Sequence, residues 1–303
     1  LLMVAAWTLR YGKGTVIVPA VGWSTSYSPF QQYGWRLRFV DIDRNTLNYD
    51  LEQLWSATSD GMADLILAIN LLGNPNDFDR FPDLPVLEDN CEAMGAVYKG
   101  RMCGSFGKMA AHSTYFSHHM CTMEGGMVTT NDEHFYHMLL SLRSHGWTRH
   151  LPEKNVFKVK PEAFGFILPG YNVRPTEMQC AIGREQLKKL PGFIAQRRDN
   201  AERFPYKTQT EIGKSSWFGM AVFGNDVVKV VGKYEHRPIV TGNFLRQPVI
   251  KHYDYEIQGG SERVFEDEGF LVADQCGCSL PNADYIHDHA VMVGNRHTRV
   301  EWA

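Results

Sequence analysis

No apolar run in the 303 residues approaches the ~18 needed to cross a bilayer, and no positively charged leader precedes an apolar core. Neither a membrane partner nor secretion is therefore expected. An excess of one charge is also lacking. The chain carries 31 Lys and Arg against 34 Asp and Glu, a formal net charge of −3, which leaves no global basic face for nucleic acid. Cysteine is scarce and scattered: of the six (Cys91, Cys103, Cys121, Cys180, Cys276, Cys278), only the last two are close. A disulfide framework is improbable at this size and spacing, so a reducing cytoplasm is expected. Cys276-Gly-Cys278 has no second pair to complete a metal site, and no metal is expected. The composition is otherwise that of an ordinary globular chain, long enough for one large domain and a smaller one.

What is present is alternation. After an apolar, helix-compatible opening (LLMVAAWTL) come strand VIVPA, helix-like SYSPFQQYG, strand RLRFVDID, helix DLEQLWSAT, strand ADLILAINL and strand VLEDN. Strands interleaved with helices imply a largely parallel sheet with right-handed crossovers. Loop 73–85 is too short and too rich in Pro and Asp for a long crossover helix. A helix is expected from about Glu133 to His145, and another from Thr176, a natural cap for TEMQCAIGREQLKKL. Pro191 permits a bend, which sets the expected boundary between a large domain (1–191) and a small one (192–303). In the latter, SSWFGMAVFG and HRPIVTG read as strands. VFEDEGFLVAD (264–274) and YIHDHAVMVGN (285–295) look alike, by duplication or by chance.

One stretch stands apart. HSTYFSHHMCTMEGGMVTT (112–130) holds a strand-like run, His112 to Phe116, that ends in a Ser-His-His turn. The Glu124-Gly125-Gly126 turn and a second strand-like run, Met127 to Thr130, follow. Two imidazoles at the lip of a strand, with the Ser113 hydroxyl five residues upstream of His118, look like a site. Some 23 residues earlier, PVLEDNCEAMGA ends its apolar run in Glu88 and Asp89, and then Glu92. Carboxylates just past the carboxyl ends of buried strands sit where open α/β sheets bind ligands.

LEDNCEAMGA, Ser113 and SHHMCTMEGG resemble the cofactor site of the sugar-modifying fold-type I pyridoxal phosphate enzymes, the DegT/DnrJ/EryC1/StrS type. WSTSYSPFQQYG, FVDID, NLLGNPNDFD, SHGWTR, LPGYNVRP, EQLKKLP, SSWFG and RPIVTGNFL match as well. The resemblance is dense from about residue 16 to 205, patchy to 250 and thin beyond. It implies an α/β large domain with a mostly parallel, seven-stranded type of sheet and a smaller C-terminal α+β domain. Most members are aminotransferases with a lysine six residues before the Glu-Gly-Gly turn. Here that position is His118. Histidine there marks a branch that removes the C3 hydroxyl of nucleotide-linked 4-ketosugars, with pyridoxamine 5'-phosphate (PMP) bound non-covalently and glutamate restoring the amine from pyridoxal 5'-phosphate (PLP). A sister branch carries an iron–sulfur cluster on cysteines after the equivalent of SHGWTR, and residues 147–170 contain none.

The resemblance also assigns roles. Asp89 matches the partner of the pyridine nitrogen, whose protonated form makes the ring an electron sink. Trp23 matches an aromatic plate on the ring; a buried core tryptophan is its alternative. Glu92 falls near the ring substituents or substrate, and Ser113 matches a phosphate-binding hydroxyl. Asn172 matches an amide that reaches the phosphate of a second subunit, which implies a homodimer with shared sites. His118 becomes the proton carrier. His119, pointing the opposite way in extended backbone, is expected behind it, and the pair is not expected to bind metal. His145 and Arg149 are expected over the substrate, and Arg237 and Asn243 are candidates for holding the sugar nucleotide or the glutamate carboxylate.

Departures from the family pattern set further expectations. Family members begin several dozen residues earlier, with a Gly/Ser-rich phosphate turn, so a fragment or a decayed relative is expected. No helix is expected between Phe223 and Arg237, and 259–280 reads as added material. Two other readings stay open: a sugar aminotransferase using Lys108, and a non-catalytic remnant.

Overall fold

Alternating strands and helices build two main sheets and a two-stranded hairpin in the computed structural model, which describes residues 1–258 and 280–302. Cys276, Cys278, the 264–274 segment and all but Leu280 of the 259–280 segment lie outside the described residues. In chain order the elements begin α1 (Leu2–Tyr11), β1 (Thr15–Pro19), α2 (Ser24–Gln32), β2 (Arg36–Val40), α3 (Leu51–Ser56), β3 (Ala63–Ile69) and β4 (Val86–Asp89). A small hairpin, β5 (Val97–Tyr98) and β6 (Arg101–Met102), precedes β7 (Met109–Ser113), β8 (Gly126–Thr129) and α4 (Glu133–Leu142). Then follow α5 (Glu177–Glu202), β9 (Gly219–Phe223), α6 (Asp226–Val231), β10 (His236–Arg237), β11 (Tyr255–Ile257), α7 (Pro281–His289) and β12 (Ala290–Gly294).

The large sheet has seven strands in the order β11-β2-β1-β3-β4-β7-β8. Every pairing is parallel except β7 with β8. Its central strands are covered on both faces, and Val16, Ile17, Val18, Leu65, Ile66 and Leu67 are buried. Each such side chain contributes about 1.5–3 kcal/mol by leaving water. That demand explains the unbroken apolar runs at these strands. Chain order reverses between β1 and β3, the switch point where the ends of neighbouring strands splay into a crevice. Ile69, Asp89 and Ala111 are in register, so β3, β4 and β7 finish nearly together beside that crevice.

Local chemistry starts the helices where the sequence places them. Asp50 accepts the Glu52 and Gln53 amides at the head of α3, and Asp132 does the same for α4 with His134 and Phe135. Thr176 and Gln179 form a reciprocal capping box on α5. α1 packs on α4, with Trp7 stacked on Phe135 at 5.6 Å. Among the described residues, no helix is long and apolar enough to cross a membrane.

The second sheet has three antiparallel strands in the order β10-β12-β9, with Met220, Val222 and Val293 buried against Ala201, Phe204 and Trp217. Three expectations differ from what is found. The helix α5 runs through Pro191 as a single 26-residue element. The C-terminal part also returns to the large sheet: Tyr255, Glu256 and Ile257 of β11 pair with Leu37, Arg38 and Phe39 of β2. A boundary at 191 therefore does not separate the two sheets. Third, the connection from Phe223 to Arg237 does carry a helix, the six-residue α6, on which Val230 is buried. The 73–85 connection contains only short 3₁₀ turns and no α-helix.

Candidate active site

A cleft of about 490 Å³ opens beyond the carboxyl ends of β1, β4 and β7. Trp23, Asp89, Glu92, Ser113, His118 and Arg237 all line it. Their convergence follows from the topology. Trp23 follows β1 as the residue before α2, Asp89 closes β4, Ser113 closes β7, and Arg237 reaches in from β10.

Successive strand residues face opposite sides, and this divides the two carboxylates at the end of β4. Asp89 faces the cleft; its Oδ2 accepts the Ser26 hydroxyl at 2.6 Å, and its Oδ1 accepts the Cys91 amide at 3.1 Å. Glu88 faces away and is fully buried. It accepts the amides of Gly104 (2.7 Å), Phe106 (2.6 Å) and Gly107 (2.7 Å), tying down the turn before β7. The family resemblance singles out Asp89 of the two, and the alternation of the strand places that one toward the cleft.

Glu92 lies past the strand end, with Oε2 accepting the Leu72 amide at 2.9 Å. Burial pushes its carboxyl up to about 7, opposed by the Leu72 amide and the Arg237 charge and assisted by Asp89. Trp23 is 51% exposed, so the core-tryptophan alternative does not apply. The Ser113 hydroxyl oxygen accepts the Tyr115 amide at 3.2 Å.

The two histidines part company in a turn, not in extended backbone. β7 ends at Ser113, short of the expected Phe116, and the His118 amide closes a turn on the Tyr115 carbonyl at 3.0 Å. From there His118 lines the cleft, its buried Nδ1 lacking a hydrogen-bond partner. Burial lowers its pKa, and the nearby Asp89 opposes that shift. His119 is wholly buried behind it, with Nε2 donating to the Ser216 carbonyl at 3.1 Å. Burial, helped by Arg197, holds its pKa down to about 3, so the ring is neutral and fixed.

Four residues singled out by the sequence are not among those lining the cleft. Asn243 is buried and fully engaged: Oδ1 accepts the Leu245 amide at 3.0 Å, and Nδ2 donates to Asp284 Oδ1 at 2.9 Å. It caps a turn, and each of its amide heteroatoms already has a partner within the chain. Asn172 is exposed, accepting from Arg174 Nη2 at 3.0 Å. His145, at a φ of +61°, packs its ring 4.7 Å from Trp147, and the exposed Arg149 sits 5.5 Å from the same indole. Within one chain, these last three form a separate surface.

Several cleft residues were given no role from the sequence, among them Thr25, Ser26, Cys91 and Ser117. The hydroxyl run Ser24-Thr25-Ser26 right after Trp23 was the available signal. Among the described residues, no lysine lines the cleft. Lys108 is exposed just before β7, at the strand's opposite end from Ser113, roughly 16 Å away at ~3.3 Å per residue.

Comparison with known proteins adds relatives to this geometry. The model of the "DegT/DnrJ/EryC1/StrS aminotransferase family" matches residues 1–218. The chain is 47% identical to the GDP-4-keto-6-deoxy-D-mannose 3-dehydratase of Yersinia pseudotuberculosis, over 97% of this chain and 79% of that protein. A solved E. coli GDP-4-keto-6-deoxy-D-mannose-3-dehydratase with bound hydrated PLP matches at a TM-score of 0.86 and 44% identity, over 98% of this chain and 81% of the other. A solved GDP-4-keto-6-deoxymannose-3-dehydratase with a trapped PLP–glutamate geminal diamine matches at a TM-score of 0.85, also at 44% identity, over 99% of this chain and 82% of the other.

Proposed function

The chain belongs to the DegT/DnrJ/EryC1/StrS aminotransferase family, and from that premise we propose that it is a PMP/PLP-dependent 3-dehydratase. Its substrate is a nucleotide-linked 4-keto-6-deoxyhexose, GDP-4-keto-6-deoxy-D-mannose, from which it removes the C3 hydroxyl in deoxysugar synthesis. The observation that carries this reading is a cleft lined, among the described residues, by an imidazole and by no lysine. The relatives' names supply the substrate and the cofactor.

The cleft's donor set fits the cofactor. A fixed carboxylate, a half-exposed indole, hydroxyls and a guanidinium converge with an imidazole whose buried Nδ1 has no partner. When bound, the cofactor supplies an amine for the sugar ketone and a protonated ring that draws electrons from the adjoining carbon. Asp89, oriented by Ser26 and the Cys91 amide, would hold the ring nitrogen and favour its protonated form. Trp23 would cover a ring face and exclude water. Ser113 and Ser117 would hold phosphate oxygens by hydrogen bonds. Arg237 suits the glutamate carboxylate or a substrate phosphate. His118, its proton affinity lowered by burial and partly restored by Asp89, can take up and return a proton on a ring nitrogen. Lys108, at the wrong end of β7, gives no support to the aminotransferase reading.

A homodimer in the cytoplasm completes the proposal. Met178 and Leu187 of α5 are 71% and 59% exposed, and Met127 and Val173 are also exposed. A second copy would cover such a face and bring Asn172, Arg149 and His145 to its neighbour's cleft. The experiment is to supply PMP, GDP-4-keto-6-deoxy-D-mannose and glutamate. The expected product is a sugar nucleotide one oxygen atom lighter, with glutamate consumed; an aminated sugar would overturn the reading.

A further inference from the structure

The buried Nδ1 of His118 makes no hydrogen bond, and besides the backbone of Cys91, which favours the protonated ring, aromatic contacts hold the ring that carries the proton. Two aromatic rings touch it edge-on: Tyr115 at 5.9 Å, itself exposed, and Phe218 at 5.1 Å with an interplanar angle of 80°. Phe218 is buried, just before β9, and does not line the cleft. Its main chain is pinned on both sides. The amide donates to the Leu72 carbonyl at 2.9 Å, and the carbonyl accepts Arg197 Nη1 at 3.2 Å. Leu72 in turn donates its own amide to Glu92, so one short strap of backbone links the Phe218 ring to a cleft carboxylate. The Phe218 ring also meets His119 at 5.9 Å and the guanidinium of Arg237, likewise at 5.9 Å.

Resting on the dehydratase reading, we propose that Phe218 is a positioning residue, whose ring seats the His118 imidazole and the Arg237 guanidinium in a single arrangement facing the cleft. Arg237 lines that cleft, and the ring it shares with His118, and with Arg197 at the same 5.9 Å, spaces the proton carrier from the anion-binding group. A segment of the C-terminal part thereby sets the geometry of a residue from the large sheet. The charged groups acting on His118 come from three elements: Asp89 of β4, Arg237 of β10 and Arg197 of α5. With Phe218 shortened, water reaches the imidazole and the desolvation that lowers its proton affinity is relieved.

Phe218→Leu and Phe218→Tyr are compared with the wild-type chain in two ways. With cofactor and 4-keto sugar, kcat and KM are measured. Without added cofactor, the His118 C2 proton is titrated by NMR, its signal assigned by its loss in His118→Asn. Phe218→Leu is expected to lower kcat at least tenfold while KM moves less than threefold, and to raise the His118 midpoint toward that of free imidazole. Phe218→Tyr, which keeps the ring, is expected to restore both. If Phe218→Leu does not fold, Phe218→Met is read by the same criteria. An unchanged His118 titration in the shortened variant overturns the proposal, and so does wild-type kcat in a variant whose titration has moved. A wild-type chain that turns over no 4-keto sugar, while the titration moves as expected, counts against the dehydratase reading and for the seating of His118.

Discussion

His118 and His119 leave the same turn for opposite environments: one ring lines the cleft, and the other donates to the Ser216 carbonyl at 3.1 Å in the interior. Burial of His119 is what fixes the turn, and the turn in turn presents His118. Its energetic signature is a dependence on pH.

His119 titrates at about 3 in the folded chain, against about 6.5 unfolded. Because the folded value is the lower one, the unfolded chain takes up the proton first. The contribution is fully present above pH 6.5 and is lost as pH falls toward 3. Between pH 7 and 5 the loss from this residue is roughly 2 kcal/mol. His119→Gln retains a donor for Ser216 but gains no proton. Its urea midpoint is expected to fall less over that window than the wild-type midpoint; parallel profiles would contradict this account of His119.

Glu92 behaves in the opposite sense. Its carboxyl is raised to about 7 by burial, so its stabilising contribution is present below about 4.5 and disappears as pH rises through 7. Glu92→Gln imitates the protonated acid and keeps an acceptor for the Leu72 amide. Its Tm relative to wild type is expected to climb from pH 5 to pH 8, as read by calorimetry. A constant difference would show that Glu92 is ionised across the range.

Glu88 serves the fold alone. Replacing it by alanine strands three backbone amides in the interior, at an expected cost of about 2–4 kcal/mol. Chemical denaturation measures the loss. A variant as stable as wild type would mean that the 104–107 turn does not depend on this carboxylate.

Much of this was legible beforehand, for identifiable reasons. Apolar runs such as ADLILAI and the caps at Asp50, Asp132 and Thr176 speak through local chemistry, and the strands and helices stand where that chemistry puts them. Strand-end residues converge because parallel strands end together, which gathers Trp23, Asp89, Ser113 and His118. Long-range facts were hidden. The pairing of Tyr255–Ile257 with β2 depends on a contact more than two hundred residues apart in sequence. The engagement of Asn243 depends on Asp284, and the structural task of Glu88 depends on which amides lie behind β4. Pro191 suggested an interruption, yet α5 continues through it as one helix.

The account rests on the cofactor being held without a covalent bond, and borohydride reduction followed by intact-mass measurement tests this most directly. Wild-type chain incubated with PLP is expected to keep its unmodified mass. His118→Lys is expected to gain one reduced cofactor, fixed at residue 118, and to lose dehydration. A wild-type chain that acquires the cofactor's mass on reduction, with the adduct on a lysine of the cleft region, would contradict the assignment of His118 and the function built on it.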